Sequence, residues 1–485
     1  MGLVVGIDLG TQSLKAVVCD EQLAVLGSHS VPVATVYPAP GQAEQDPRAW
    51  EAALEPAVAG ALAAAKADPA SVVALAIAGQ LDGCVAVDAH GAPLHPALIW
   101  QDRRATAEVL DVPLELTGQV ADASHMAPKI AWLRKHGIAA AHWHQPISYL
   151  VARLTGAHVL DPAHASTTML FDLAAGTWSA ELLGRYAIAE HTLPAIQPAT
   201  AIAGTLQGAI AGIPKGIPVA VGTGDDFSTP LGAGAVAPGP LLVTLGTAEV
   251  VGTLAAAPVF DRPAARAAAD AYRDAPTPMV ETHAYPTGAF FIENPGWLSG
   301  GAVRWATRLL GLTSDAELDA AAAQAPPGAD GVTFIPALAG AMTPEWRADV
   351  RGALHGLSAT HDRAHIARAV LEGLAFACRD VAGRLTSLGL GSPHALVLGG
   401  GAQSRLWIQI RADALQIPHH IAARTDSSAI GAAMLAAVAA GIHKDLRAAA
   451  ALAEAPRAII DPRGNARAAY DDAYGRYQNL TRRTS

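Results

Sequence analysis

A strand, Leu-Gly-Thr and a second strand occur twice in this chain of 485 residues, as GIDLGTQSLKAVV over 6–18 and LLVTLGTAEVVGT over 241–253. A hairpin repeated in both halves predicts an internal duplication, and a duplication fixes architecture before any other feature does. The length agrees, because a single hydrophobic core rarely grows past about 250–300 residues. Two α/β domains of one plan are therefore expected, 1–237 and 238–485, facing each other across a central cleft. Their boundary falls in the Gly/Pro-rich stretch 232–240.

Periodicity supplies the elements. The first half reads as strands over 3–7 and 15–19, a helix over 46–67 opened by Asp46-Pro47, and strands over 71–77 and 84–87. The stretch 125–210 is more helical and irregular. An apolar run over 218–222 leads into Gly222-Thr-Gly-Asp-Asp226. The second half repeats the order: the hairpin, a strand around 279–281, helices over 300–311 and 362–387, and the run 395–398 into Gly399-Gly-Gly401. Helices over 403–415 and 428–440 and a closing helix over 465–480 follow. Trp297 and Trp305, on or beside an amphipathic helix, read as core.

Composition narrows the class. With 51% apolar and 16% charged residues, the chain has material for large buried cores and does not read as disordered. A formal charge of -10 disfavours nucleic acid and membrane surfaces as partners. Cys19, Cys84 and Cys378 stand far apart in apolar contexts, as small core residues of a reducing compartment. The N-terminus does not read as a signal peptide, and no uncharged apolar run of membrane-spanning length stands out, so a cytoplasmic location is expected. His142, His144, His419 and His420 lack acidic partners at metal spacing and read as surface or packing residues.

The turns carry the chemistry. Glycine lets backbone approach a ligand closely, and successive turn N–H groups point at one anion. Two such turns, Gly10-Thr11-Gln12 and Gly246-Thr247, would grip a polyphosphate from both sides. The first turn follows Asp8, which suits hydrated Mg²⁺, and the second follows Thr244, which only hydrogen-bonds. Asp225, beside glycines at a strand end, is placed as a general base toward a hydroxyl, with Asp226 a cap or a substrate hydrogen-bonder. Gly399-Gly-Gly401, with Ser404 on the helix that follows, is a nucleotide-binding arrangement, while Walker and dinucleotide fingerprints are absent. Gln80-Leu81-Asp82 and Trp100-Gln-Asp102 put polar groups at strand ends, where α/β sheets bind ligands.

With these residues in place, the chain resembles the FGGY family of carbohydrate kinases from end to end. Gly352-Ala-Leu354-His-Gly356-Leu357 and, after seven residues, His365-Ile366-Ala-Arg-Ala369-Val-Leu-Glu372 fit the family's C-terminal signature. Met126-Ala-Pro128-Lys129-Ile-Ala-Trp132 resembles the Lys-x-x-Trp half of its N-terminal one. Within the family the chain is most similar to the xylulokinases, through 78–80, 96–103, 127–129, 224–225 and 399–404. The resemblance implies two actin-like (ribonuclease H-like) ATPase domains, ATP and Mg²⁺ as cofactors, and a small sugar as substrate. It implies Asp225 as catalytic base and Asp8 toward Mg²⁺. Gly10, Thr11, Gly246 and Thr247 would lie at phosphates, and Gly400, Gly401 and Ser404 at the adenosine. A homodimer is a family-level expectation.

Three positions depart from the xylulokinase pattern. Asp82 stands where that branch has His, Asp226 follows Asp225 where it has Asn, and Gly340-Ala-Met-Thr343-Pro344 replaces its Gly-Glu-Arg-Thr-Pro run. The first two lie where the family contacts sugar, and a carboxylate accepts where the usual groups can donate. The expected activity is phosphoryl transfer from ATP to D-xylulose, with another ketose or a polyol (ribulose, erythritol, glycerol) as the alternative. An actin- or Hsp70-like nucleotide switch is the rival from another class.

Overall fold

The computed structural model describes residues 2–262 and 277–484. Two seven-stranded sheets organise it, and their strand orders match. In the first, Leu3–Leu9 pairs antiparallel with Ser13–Cys19, which pairs with Val25–Pro32. On its other side it runs parallel to Val72–Gly79, which is flanked by Pro218–Ala220 and then antiparallel Ile202–Thr205. In the second, Leu241–Leu245 pairs antiparallel with Ala248–Ala255, which pairs with Phe290–Leu298. Its other side runs parallel to Ala395–Leu398, then His419–Ile421, then antiparallel Ala458–Ile460. Glu281–Ala284 extends the outer edge, and the strand expected at 279–281 begins there.

The central strands read as continuous apolar runs because both faces are covered. Side chains alternate across the pleat. Val5, Ile7 and Leu9 pack with Trp50, Leu54 and Val58 of the helix Pro47–Ala65. Val4, Ala74, Ala76 and Ala78 face the opposite way, onto the helix Ser427–Ala439. Asp46 caps the first of these helices by accepting from the Arg48 N–H at 3.0 Å. The first hairpin's opening strand runs to Leu9, two residues beyond expectation, so Asp8 sits inside the sheet.

The helix Ser427–Ala439 comes from late in the chain yet packs on the first sheet. It crosses the helix Asp225–Gly232, whose Phe227 ring meets Phe291 and Tyr285 edge-on on the side of the second sheet. The crossing is tight enough to demand glycine. A Cβ on Gly232 would collide with the Ser427 carbonyl, one on Gly431 with the Ser228 carbonyl, and one on Gly6 with that of Ala429. Ser228 Oγ donates to the Ser428 carbonyl at 2.8 Å across the same crossing. Each half thus lends a helix to the seam, and the seam carries Asp225 at one helix start and Ser428 at the other.

Cys19, Cys84 and Cys378 are buried and unpaired, and burial pushes the Cys19 and Cys84 thiols up to about 12, which leaves them inert. Trp297 lies at the end of a strand rather than on a helix, but it is core, and Trp305 stacks on Phe334 at 5.9 Å. His144 and His419 are packed inside, each held near pKa 3 by burial. No helix among the described residues is long and apolar enough to cross a membrane.

Candidate active site

Three carboxylates meet at the seam. Asp225 and Asp226 open the helix that follows Thr223–Gly224, with Gly224 as its cap. Burial, then Asp226, then Asp8 push the Asp225 carboxyl well above the usual range, so Asp8 lies within electrostatic reach. Asp8 itself is raised to about 6, chiefly by burial, against a hydrogen bond from Ser428 Oγ at 2.9 Å. Its cross-strand neighbour Lys15 reaches Asp426 at 2.6 Å. Burial raises Asp226 to about 6, with His283 opposing and Asp82 reinforcing the rise. A helix N-terminus favours carboxylates. Here desolvation and like charge win.

The strand ends of the first sheet form one polar network. Gln80 Nε2 donates to Gln45 Oε1 at 2.8 Å, and Trp50 Nε1 donates to the same oxygen at 2.9 Å. Gln45 Nε2 donates to the Thr11 carbonyl at 2.7 Å, and Trp100 Nε1 to Thr11 Oγ1 at 2.9 Å. Gln80 and Trp100, read from the sequence as strand-end ligand contacts, therefore brace the Gly10-Thr11-Gln12 turn. Gln12 is exposed on it, its carbonyl accepting from the Val33 N–H at 2.9 Å. Leu81 packs beneath Gly224, where a Cβ would strike its side chain.

Asp82 adopts φ +57, a left-handed conformation that Asp tolerates better than most residues. Lys129, fully buried, holds it there by donating to the Asp82 carbonyl at 2.6 Å, the Ile99 carbonyl at 2.8 Å and the Ser124 carbonyl. Burial brings the Lys129 ammonium down to about 8. The Asp82 carboxylate meets His125 Nδ1 at 3.2 Å. Burial would raise Asp82, but His125, Lys129 and His283 together hold it below the usual value. The Lys-x-x-Trp motif thus serves to fix the Asp82 loop.

Asp102 departs from expectation. It is fully buried, accepting from the Ala43 N–H at 2.7 Å and from Arg104 Nε at 2.9 Å on both oxygens. Its lone pairs are spent inside the protein, so it does not reach the cleft. Ser404 departs too. Its Oγ caps the helix Arg405–Leu415 through the Trp407 N–H at 3.1 Å and donates to Asp319 at 2.6 Å. That leaves no free hydroxyl proton for a nucleotide. The helix starts two residues later than expected because Gly400–Gln403 forms a 3₁₀ turn first.

On the second sheet, Gly246 and Thr247 are exposed at their turn, and Arg304 Nη2 donates to Thr247 Oγ1 at 3.1 Å. Sequence reasoning missed Arg304. The signal was an arginine one turn into a helix that begins at Gly300-Gly301, whose N–H groups bind the turn's carbonyls. The glycine triplet divides by role. A Cβ on Gly399 would meet the Leu245 backbone and one on Gly401 would meet Leu245 and Trp407, whereas Gly400 faces open space. A Cβ on Gly10 would meet only the Ser13 carbonyl, at 3.5 Å. These are gaps that phosphate or sugar-base atoms can enter.

The residues fit a divalent cation modestly. Asp8 offers a carboxylate with spare lone pairs within electrostatic reach of Asp225, the hard-oxygen donor Mg²⁺ takes when phosphates and water supply the rest. Among the described residues no group of three or more His, Cys, Asp or Glu side chains is placed to hold a metal by itself.

Residues 3–232 match the N-terminal domain, and 241–440 the C-terminal domain, of the FGGY family of carbohydrate kinases. The two matches bear out the expected pair of actin-like domains around a cleft. The chain is 32% identical to the glycerol kinase of Gloeobacter violaceus, over 92% of this chain and 89% of that one. It is 31% identical to the xylulose kinase of Escherichia coli, over 92% and 91%. A Brucella ovis protein described as a "xyloylose kinase" superposes with a TM-score of 0.89 at 29% identity, over 99% of this chain and 98% of that one.

Proposed function

The chain belongs to the FGGY family of carbohydrate kinases, and on that premise we propose that it transfers the γ-phosphate of ATP to a hydroxyl of D-xylulose, giving D-xylulose 5-phosphate. The observation that supports this most is the position of Asp225 at the start of the seam helix, where desolvation, Asp226 and Asp8 together raise its affinity for protons. The acceptor sugar lies on the first domain (1–237), toward Gln80, Leu81, Asp82, Trp100 and Asp226. The nucleotide spans to the second (238–485), with phosphates at Gly10, Thr11, Gln12, Gly246 and Thr247 and adenosine toward Gly400 and Gly401.

Asp225 takes the proton of the attacking hydroxyl. Its raised affinity for protons makes it a stronger base than an exposed carboxylate. Asp8 would hold Mg²⁺, which supplies charge neutralisation to the phosphate oxygens. Arg304, next to Thr247, adds a positive charge on the opposite turn. Closure of the two sheets on each other limits hydrolysis of ATP by water.

Glycerol or another polyol is the second reading, because a glycerol kinase at 32% identity stands beside a xylulose kinase at 31% and Asp82 departs from the xylulokinase pattern. A coupled ADP-release assay with Mg·ATP against D-xylulose, ribulose, glycerol, erythritol and gluconate tests both. Selective release with D-xylulose is expected. Selective release with glycerol would move the substrate, and ATP turnover indifferent to every sugar would sink the kinase reading.

A further inference from the structure

His125 is buried, 4% exposed, at the start of the helix Met126–Lys135, and its side chain does not cap that helix. Its ring meets acceptors on both sides. Nδ1 stands 2.9 Å from the Thr167 carbonyl and 3.2 Å from Asp82 Oδ1, and Nε2 stands 3.1 Å from the Val120 carbonyl. A carbonyl only accepts, so each nitrogen needs a proton to meet it, and a ring with two protons is an imidazolium. Gln119 Nε2, a donor, is farther from Nδ1, at 3.3 Å. It faces the ring because Gln119 Oε1 accepts the Met169 N–H at 2.9 Å. Two acceptors at shorter range outweigh it.

A buried imidazolium needs a counter-charge, and Asp82 supplies it. Burial would lower His125, but Asp82, Glu281 and the Val120 carbonyl together hold it above the usual histidine value. The other charged groups are engaged elsewhere. Lys129 donates to three carbonyls, Arg103 pairs with Asp122, and Glu281 accepts the Val120 N–H at 2.6 Å. His164 is neutral, held near pKa 3 by burial. His283, Asp226 and Glu293 sense the Asp82 charge.

Only one oxygen of Asp82 is used. Oδ1 meets His125, while Oδ2 has no hydrogen-bond partner among the described residues, and the side chain is 18% exposed. The Asp82 loop and the Asp225 helix leave the first sheet side by side: Gly79 and Gly224 are register partners on parallel strands, and the Leu81 side chain packs under Gly224. We propose that His125 is a positioning residue that holds Asp82 Oδ1 as an imidazolium and so presents Oδ2, ionised, to the acceptor substrate. The inference rests on the kinase reading above and deepens it. An ionised carboxylate only accepts, so the substrate that suits this oxygen donates a neutral hydroxyl to it. A deoxy analogue leaves the charge unmet, and a sugar acid opposes it.

Nitrogen NMR of the full-length enzyme without substrate reads the ring directly. Both His125 nitrogens should be protonated at about pH 7.5, a unit above the ordinary histidine value. A neutral ring at that pH would overturn the proposal. His125→Gln keeps a polar side chain and removes the charge. It should raise KM for the preferred sugar or polyol about tenfold or more and leave KM for ATP within about twofold. Asp82→Asn should do the same, and the double variant should be no worse than Asp82→Asn alone, because the pair is already broken. Losses that multiply would mean that His125 acts without Asp82 and would overturn the proposal, as would an unaltered KM for the sugar. Where His125→Gln unfolds, the spectrum and Asp82→Asn decide: a neutral ring, or an Asp82→Asn enzyme with unaltered sugar KM, overturns it. Phosphorylation of no sugar or polyol would defeat the kinase reading and the substrate half of this proposal with it, and the spectrum still decides the pair.

Discussion

Asp8 holds in the first sheet the register position that Thr244 holds in the second. Asp8 pairs with Lys15 across its hairpin and with Ala78 on its parallel side, and Thr244 pairs with Val250 and Leu398 in the same way. The two turns leave their strands alike, through Leu-Gly-Thr, and close differently: four residues lie between the paired Leu9 and Leu14, three between the paired Leu245 and Glu249. The same Leu-Gly-Thr thus appears twice with different residues before it. A duplicated scaffold supplies two Gly-Thr turns, and an acid precedes one of them.

Asp8→Thr gives the first turn the residue of the second. We expect turnover to fall by about a hundredfold or more and the Mg²⁺ concentration for half-maximal activity to rise. The fold should survive, because a buried carboxylate raised to about 6 is held at some cost. Magnesium titrations of initial rate measure this. A variant with ordinary magnesium dependence would remove Asp8 from metal binding.

Asp225→Asn removes the proposed base and should cost about 10²–10⁴ in kcat while ATP binding persists in calorimetry. The pH profile gives a finer test. A base works only when ionised, so kcat/KM rises as pH passes its pKa, and burial with Asp226 and Asp8 places that limb above the ordinary carboxylate range. Asp226→Asn deletes a neighbouring negative charge, which lowers the Asp225 pKa and moves the limb toward lower pH. A limb that stays where it was would mean that the titrating group is not Asp225.

Lys129→Met leaves the buried Ile99 carbonyl and the part-buried carbonyls of Asp82 and Ser124 without their donor. A buried unmet acceptor costs about 1–3 kcal/mol, so a loss of about 1–3 kcal/mol is expected in denaturant unfolding. The Asp82 loop, in its left-handed conformation, should loosen with it, raising KM for the sugar more than KM for ATP. Equal effects on the two constants would show a general loss of structure rather than a loss of the Asp82 loop.

The parts legible in the sequence were those governed by local pattern. The hairpins, the apolar parallel strands and the Asp46 and Asp362 helix starts all show in period and cap. The helix Ser427–Ala439 was legible as a helix but not in its place. It is apolar all round, so no face announces a partner, and it packs on the sheet of the other half. Asp102 was misread because adjacency does not tell which arginine folds back, and Arg104 does. Ser404 was misread because its partner Asp319 lies 85 residues away.

The triplet Gly399-Gly400-Gly401 separates packing from binding within three residues. Gly399 has φ +83, and a Cβ there would meet the Leu245 backbone at 2.6 Å, so it belongs to the turn. Gly401 is closed off by Leu245 Cβ at 2.8 Å and Trp407 at 3.0 Å, so it belongs to the core. Gly400 has neither constraint: no heavy atom lies within 4 Å of its would-be Cβ. Gly401→Ala should therefore destabilise by about 1–3 kcal/mol through overpacking. Gly400→Ala should leave stability unchanged or raise it by about 0.4–1 kcal/mol, because it restricts only the unfolded chain. If the open space is where the adenosine lies, the same methyl group raises KM for ATP severalfold and leaves KM for the sugar alone. Thermal unfolding and the two KM values decide it together: a Gly400→Ala enzyme with unaltered KM for ATP places the nucleotide elsewhere on the second sheet, whatever its stability.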